Sequence, residues 1–340
     1  MRSVLRLCTV FTVLFFIIPA FMPGCSIFLG NLTSEEVEKQ IKEAREHFEV
    51  VKSLEVEESY RDDFAKAETA FAKAENFRKW NRPKAYAAAK ESLEASKRIL
   101  RKFYLETVSD LAKKARQELK KKIGEDDDNP LTDYVPKLDK VIAHAESVEK
   151  YPQIVSLNKV LDDLKEILSI TYSIQTSMAE TLESDVSFGK GKYELSDGGK
   201  QVIKEIVERI ISEKKVYLND NPGKTIRTKI KVVGYTDQLN FARGGKLERE
   251  LLKKEEEPFP RDRTEQRRFL NQRLSEFRTK TIIRTIEKLI SKSETETSRF
   301  KIDTDAVGRG EKMPANLPPP YPTTDSRRRI CKIYTYTTIY

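Results

Sequence analysis

Two stretches, Val232-Val233-Gly234-Tyr235-Thr236-Asp237 and Asn271-Gln272-Arg273-Leu274-Ser275-Glu276-Phe277-Arg278, decide the reading of the C-terminal half of this chain. The first is a β-branched strand running into a Gly turn that presents a hydroxyl and a carboxylate. The second reads as a helix start with Arg278 on its first turns, since Asn271 and Ser275 are natural residues there. Outward from these, Val186-Ser187-Phe188 is expected as a short strand and Ser196 to Ile211 as a helix. Lys229 to Gly234 forms the second strand, and Leu274 to Ile290 the second helix, burying Phe277, Ile282, Ile286 and Leu289. Phe300 to Val307 is a third strand, followed by the turn Gly308-Arg309-Gly310-Glu311. Arg327-Arg328-Arg329-Ile330 opens the last strand. The order βαβαββ predicts an α/β sandwich with its helices on one sheet face.

These pieces, in this order, resemble the OmpA-like peptidoglycan-binding domain (the C-terminal domain type of OmpA, Pal and MotB) over about residues 184–340. That family carries a strand ending Gly-x-Thr-Asp, a helix beginning Asn-x-x-Leu-Ser-x-x-Arg, a Gly-x-Gly-Glu turn and an Asn-Arg-Arg-Val strand start. The resemblance implies that Asp237 accepts the ammonium of the stem-peptide diamino acid and that Arg278 forks onto its carboxylate. It implies that Thr236 and Asn271 shape the pocket with Ser275, that Leu274 walls it, and that Arg328 lies close by as a supporting charge. The alternative for Asp237 and Arg278 is a helix-anchoring ion pair without a ligand, although exposed pairs of that sort contribute little stability. Asn271 and Ser275 have the alternative of serving only as helix N-terminal residues.

The chain also departs from the family pattern. The 33 residues between Asp237 and Asn271 form a charged insertion, 238–270, where the family has a short loop. Such an insertion costs little stability, because loop-closure entropy grows slowly with length. It is expected as a surface excursion, a helical overhang or a partner dock. Thr279 stands where Ala is usual, and Arg327 replaces the Asn of the last motif. Leu317 to Pro322 is Pro-rich and expected to be extended.

At the N-terminus, Arg2 and Arg6 precede an apolar run from Leu7 to Met22, short for a membrane span, and Met22-Pro23-Gly24-Cys25 resembles a lipoprotein cleavage box. Residues 1–24 are expected as a signal peptide, with Cys25 lipidated and 25–32 a linker; a plain secretory signal and an uncleaved anchor are the alternatives. Several acyl chains on Cys25 would anchor the protein stably, where one chain binds only marginally. Cys331 is then the remaining thiol, expected in a strand core.

From Thr33 to about Thr181 the pattern is helical. Thr33-Ser34-Glu35-Glu36 is a capping start, and Val37, Ile41, Ala44, Phe48 and Val51 recur at steps of four and three. Phe64, Ala67, Phe71, Ala74 and Phe77 repeat this, and Asn81-Arg82-Pro83 breaks the run and opens the next helix. Tyr86, Ala89, Leu93, Ser96, Leu100, Tyr104 and Val108 continue the stripe. Gly124 to Pro130 reads as an acidic loop. A final stripe runs Leu157, Val160, Leu164, Ile167, Thr171, Ile174 and Met178. One-face stripes predict an antiparallel bundle or stalk over 33–181, or a partner-binding module. A tetratricopeptide array is a weaker rival without a 34-residue period. The expected class is therefore α+β, an all-α bundle followed by the sandwich.

The formal net charge of +9 falls to +7 once Arg2 and Arg6 leave, and Lys and Glu alternate along the helices. That pattern marks solvated helical faces rather than a nucleic-acid surface. His47 and His144 lie inside helical patterns, and no nucleophile–base set, metal-ligand cluster or phosphate loop is legible. The expectation is a non-enzymatic protein without metal or cofactor, held on the periplasmic face of the outer membrane. Its partners would be peptidoglycan, the membrane through the lipid, and a protein for the helices. A stator subunit needs an intramembrane carboxylate that Leu7 to Met22 lacks. A β-barrel needs strands that the helical half does not supply, whatever the alternation of Tyr334, Tyr336, Thr338 and Tyr340. The runner-up is a helical scaffold lipoprotein whose OmpA-like domain no longer binds the wall.

Overall fold

A computed structural model describes residues 32–150, 156–183, 187–188, 192–253, 259–293, 298–315 and 322–340. The expected signal peptide with Cys25, Val186 and most of the Pro-rich run lie outside the described residues. The chain divides into two compact units. One runs to Lys113 and takes in Asp139–Ile167; the other comprises Lys114–Leu138 and Leu168–Tyr340. Among the described residues no helix is long and apolar enough to cross a membrane.

The first unit is built on α1 (Ser34–Ser53), α2 (Arg61–Phe77) and α3 (Arg82–Phe103). Thr33 and Glu36 close the expected capping box, and Asn81 caps α3 by accepting from the Lys84 N–H. The stripe of α1 is buried at Val37, Ile41, Ala44, Phe48 and Val51, while in α2 Ala67, Ala70 and Ala74 are buried and the Phe rings half-buried. Phe48 packs on Phe64 and Phe71 at ring centroid distances of 5.5 and 5.6 Å. A π-helical turn, Tyr104–Val108, joins α3 to α4 (Ser109–Ile123). Its Tyr104 hydroxyl donates to Asp163 at 2.6 Å, and burial together with that carboxylate pushes the phenol pKa up. Asp163 lies on α6 (Leu157–Gln175), which follows α5 (Val135–Lys150).

The second unit holds a four-stranded sheet, β1 (Met178–Glu183), β2 (Ile226–Gly234), β3 (Phe300–Gly308) and β4 (Ile330–Ile339), in the order β1-β4-β2-β3. β4 is antiparallel to both β1 and β2, and β2 and β3 are parallel. α7 (Asp197–Asp220) and α9 (Arg263–Lys292) supply the helical layer, with a short α8 (Lys246–Leu252) between β2 and α9. The chain order is thus βαβαββ with one short helix added. The core lies between the helices and one sheet face. Ile230 and Val232 of β2 and Cys331 and Ile333 of β4 meet Ile203, Ile206 and Ile210 of α7 and Ile282 and Ile286 of α9. Alternation with period two puts those strand residues on one face.

Several boundaries differ from the sequence reading: α7 runs on to Asp220 past the expected Ile211, and β2 begins at Ile226 rather than Lys229. The first strand is Met178–Glu183, which reads as the tail of a helix, whereas Ser187 is helical and Phe188 a turn residue buried in the core. Pairing Met178–Glu183 with Thr335–Ile330 overrides the helix propensity of Met, Ala, Glu and Leu there. α9 starts eight residues before Asn271, at Arg263, because Asp262 accepts from the N–H groups of Thr264 and Glu265 at 2.9 and 3.0 Å. Asn271 therefore sits within the helix rather than at its start.

The opposite sheet face is covered by the acidic segment that reads as a loop. Asp126 and Asp128 are 5% and 2% exposed. Asp126 accepts from the Lys332 ammonium at 2.9 Å and from the Tyr334 hydroxyl at 2.6 Å. Asp128 accepts from the Tyr235 hydroxyl and from Arg309 Nε, both at 2.7 Å, and its carbonyl takes Lys231 Nζ at 2.9 Å. Each buried carboxylate thus has cations and hydroxyls around it, the condition under which burying charge is tolerated. The far end of β4 outruns β1, whose pairing stops at Met178 opposite Thr335. Hydroxyls of α6 and of Thr176 just past its end complete that edge: Ser173 donates to the Thr337 carbonyl at 3.0 Å, and Thr176 accepts from the Thr337 N–H at 3.2 Å.

Candidate functional site

Parallel pairing places Gly234 of β2 beside Gly308 of β3, so the two chain segments that leave these strands emerge together. Both glycines lie under α9. A Cβ at Gly234 would fall 2.8 Å from Thr279 Cγ2, and one at Gly308 would fall 2.6 Å from Ser275 Oγ. The absence of side chains lets α9 close on the strand ends. Past Gly234 the chain turns through Tyr235, Thr236 and Asp237; past Gly308 it turns through Gly310, whose φ of +53° suits glycine.

The turns are stitched to each other and to the helix. Thr236 N–H donates to the Gly310 carbonyl at 2.7 Å, and Gly310 N–H donates to Ser275 Oγ at 3.0 Å. Glu311 is the centre of the polar set. It accepts two hydrogen bonds from Arg267, at 2.8 and 3.1 Å, and one from Asn271 Nδ2 at 2.8 Å. Its carbonyl takes Arg328 Nη2 at 2.7 Å. Arg267 is absent from the sequence-based set. It lies inside the insertion, and only a long helix reaching upstream of Asn271 makes it a neighbour of the Glu of the Gly-x-Gly-Glu turn.

Thr236, Asp237, Asn271, Leu274, Ser275, Arg278 and Arg328 are all buried, Arg278 to 1% exposure. The structure connects Asn271, Ser275, Arg328 and Thr236 through the two turns, but it gives Asp237 and Arg278 different neighbours. Asp237 Oδ2 accepts from Arg329 Nη1 at 2.7 Å and its Oδ1 from the Leu239 N–H at 3.3 Å. Arg278 Nε donates to the Lys192 carbonyl at 3.0 Å, and its guanidinium lies over the Phe188 ring at 5.3 Å. The basic run before β4 is thus split: Arg329 holds Asp237 and Arg328 holds Glu311. Arg327, at the position of the family's Asn, forks onto Asp325 at 3.0 and 2.7 Å. Those bonds from Arg327 hold the Asp325 carboxyl down at about 2. Thr236 Oγ1 is buried with no hydrogen-bond partner among the described residues.

The insertion forms a small apolar core on the helix. Leu251 of α8 is fully buried beside Leu270 and Leu274, with Phe241, Leu247, Phe259 and Phe277 packed around them. Tyr193 stacks edge-on with Phe277, centroids 5.2 Å apart, and donates its hydroxyl to Glu250 of α8 at 3.2 Å. Leu274 is therefore walled by the insertion. On the adjoining face of α9 a cavity of about 680 Å³ opens between Arg268, Phe269, Gln272, Arg273 and Glu276 and the turn residues Gln238, Gly310 and Glu311. Among the described residues no group of three or more His, Cys, Asp or Glu side chains is placed to hold a metal ion.

A scan against protein-family models finds no match, and a search among curated proteins finds none either. Solved structures similar to this chain include a MotB-like protein from Desulfovibrio vulgaris, at 18% identity over 47% of this chain and 73% of that one, with a TM-score of 0.28. The periplasmic domain of Helicobacter pylori MotB is similar at 13% identity over 48% of this chain and 84% of that one, TM-score 0.28. The OmpA-like domain of FopA1 from Francisella tularensis is similar at 15% identity over 48% and 75%, TM-score 0.23. This chain's own element order and sheet order give a helical N-terminal region followed by an α+β domain with a four-stranded mixed sheet.

Proposed function

We propose that this protein is a non-catalytic, lipid-anchored envelope protein on the periplasmic face of the outer membrane, whose sheet domain binds peptidoglycan through the diamino acid of the stem peptide. Lipid on Cys25 then ties membrane to wall. The observation that carries the reading is convergence: Thr236-Asp237, Gly310-Glu311, Asn271, Ser275 and Arg328 meet at the carboxyl ends of the parallel pair β2–β3. Ligands of α/β sheets favour such ends. The buried Thr236 hydroxyl supports it, because an orphaned polar atom is costly unless something is there to meet it. Asp237 and Arg278 remain the groups proposed for the ammonium and the carboxylate.

The test is retention on purified, protein-free sacculi, with free diamino acid as competitor. Retention that the competitor displaces supports the reading, and a wild-type protein that washes through rejects it. One observation favours a second reading, a helical scaffold whose domain does not bind the wall. Asp237 and Arg278 are both buried and engaged with protein groups. Cys25→Ser, followed by metabolic palmitate labelling, tests the anchor; unchanged labelling and processing would sink it.

A further inference from the structure

The cavity on the adjoining face of α9 reaches the motif turn at Gly310 and Glu311 but is not lined by Asp237 or Arg278. Its volume of about 680 Å³ lies in the range of small-molecule and peptide sites. Its charges are not all alike in availability. Glu311 is held by Arg267 and Asn271, and Arg273 and Glu276 pair at 2.9 Å. Gln272 donates to Glu276 and to the Gly308 carbonyl, both at 2.9 Å, which leaves its amide oxygen to accept. Arg268 is exposed and has no hydrogen bond or ion pair among the described residues. The cavity therefore offers an available guanidinium beside an aromatic ring, Phe269, and two amide side chains, Gln238 and Gln272. Gln238 directly follows Asp237, so this cavity is continuous in sequence with the motif turn.

We infer that this cavity is a peptide subsite, in which Arg268 takes a free carboxylate and Gln238 and Gln272 take the peptide's amide groups. The inference rests on the wall-binding reading and deepens it: the carboxylate-bearing part of a stem peptide lies on the face that the insertion adds to α9. Arg is suited to this because its planar fork matches a carboxylate; Gln238 can donate to and accept from an amide, and the Gln272 oxygen can accept from one. Arg268 and Phe269 belong to the insertion, so the subsite would be particular to chains whose helix extends upstream of the Asn position.

The experiment uses the full chain in detergent solution, with sacculi and two synthetic stem tetrapeptides as probes, one ending in a free carboxylate and one in an amide. Wild-type protein should be retained on sacculi and prefer the free carboxylate by about tenfold or more, as expected for one charge-assisted contact. Arg268→Glu should erase that preference and weaken sacculus retention, with thermal stability unchanged because the side chain is exposed. Arg268→Lys should restore part of it, since the charge returns without the fork. Wild-type retention with Arg268→Glu indistinguishable from it overturns the subsite and leaves the wall-binding reading standing. A wild-type protein that binds neither sacculi nor peptide overturns both.

Discussion

The carboxylate of Asp237 is held by Arg329, 2.7 Å away, where the final basic run enters β4. The pair is largely buried, with side chains 4% and 15% exposed, and Asp237 also receives the Leu239 N–H. It fastens the motif turn to the last strand. Removing one partner of a buried pair leaves the other charge poorly compensated and costs about 3–5 kcal/mol. Asp237→Ala and Arg329→Ala should each lower the urea midpoint, and the double variant should lose less than the sum of the two. Additive losses would show that the pair does not act as a unit. Wall binding by Asp237→Ala must therefore be read on protein shown to be folded, with Asp237→Asn as the milder companion.

Asp128, buried behind the sheet, predicts a dependence on pH. Burial alone would raise the Asp128 carboxyl, but hydrogen bonds from Arg309 and Tyr235 and the charges of Arg309 and Lys312 outweigh it and leave it lowered. A lowered folded pKa contributes stability that is complete above the ordinary aspartate value of about 3.9 and is lost as pH falls through the folded value. Acid titration of thermal stability should show this loss in wild type and a shallower one in Asp128→Asn. Tyr235→Phe should cost about 1.5–3 kcal/mol, the usual value of a hydrogen bond to a charged group. An Asp128→Asn profile as steep as wild type would exclude Asp128 as its source.

Legibility in the sequence followed the range of the interaction. Stripes such as Val37-Ile41-Ala44-Phe48 and alternations such as Ile230-Val232 and Cys331-Ile333 announce their buried faces through local period alone, and the structure buries them as expected. Three features escaped. Met178–Glu183 has helical composition and becomes a strand only because β4 offers it a partner. Asp126 and Asp128 read as solvated acids because their partners, Lys332, Tyr334, Tyr235 and Arg309, lie 107 to 208 positions away. Asn271 resembled a cap, whereas Asp262 is the cap, and the extra helical turns bring Arg267 to Glu311. The motif residues were legible one by one, but the partners of Asp237 and Arg278 were not, since Arg329 and Lys192 carry no signal of long-range pairing.

The insertion should prove to be folded rather than a loose excursion. Leu251 is fully buried against Leu270 and Leu274, so Leu251→Ala should cost about 2–5 kcal/mol of local stability. Hydrogen exchange should show lost protection in α8 and the first turns of α9 while β2 and β4 stay protected. Excising Gly244 to Pro260 should likewise preserve the sheet signal in circular dichroism but expose Leu270 and Leu274, seen as dye binding. Unchanged protection in Leu251→Ala would mean that the cluster contributes nothing to holding the insertion.

Arg278 decides how much of the motif touches a ligand. Its guanidinium is 1% exposed, lies over Phe188 and donates to the Lys192 carbonyl, so Arg278→Ala removes packing as well as charge. A loss of about 2–5 kcal/mol of stability is expected, which makes the alanine variant a poor judge of recognition. Arg278→Lys is the sharper probe. It keeps the charge and much of the stem but cannot reproduce the planar contact with a carboxylate or a ring. If Arg278 contacts the diamino acid, Arg278→Lys should weaken sacculus retention by tenfold or more, roughly 1.4 kcal/mol, with a smaller stability change than alanine causes. If Arg278→Lys stays folded and binds sacculi as wild type does, Arg278 is a positioning residue for the segment at Lys192. Ligand recognition would then belong to the cavity lined by Arg268 and Gln272, and the pattern of the Arg268 variants would already have shown it.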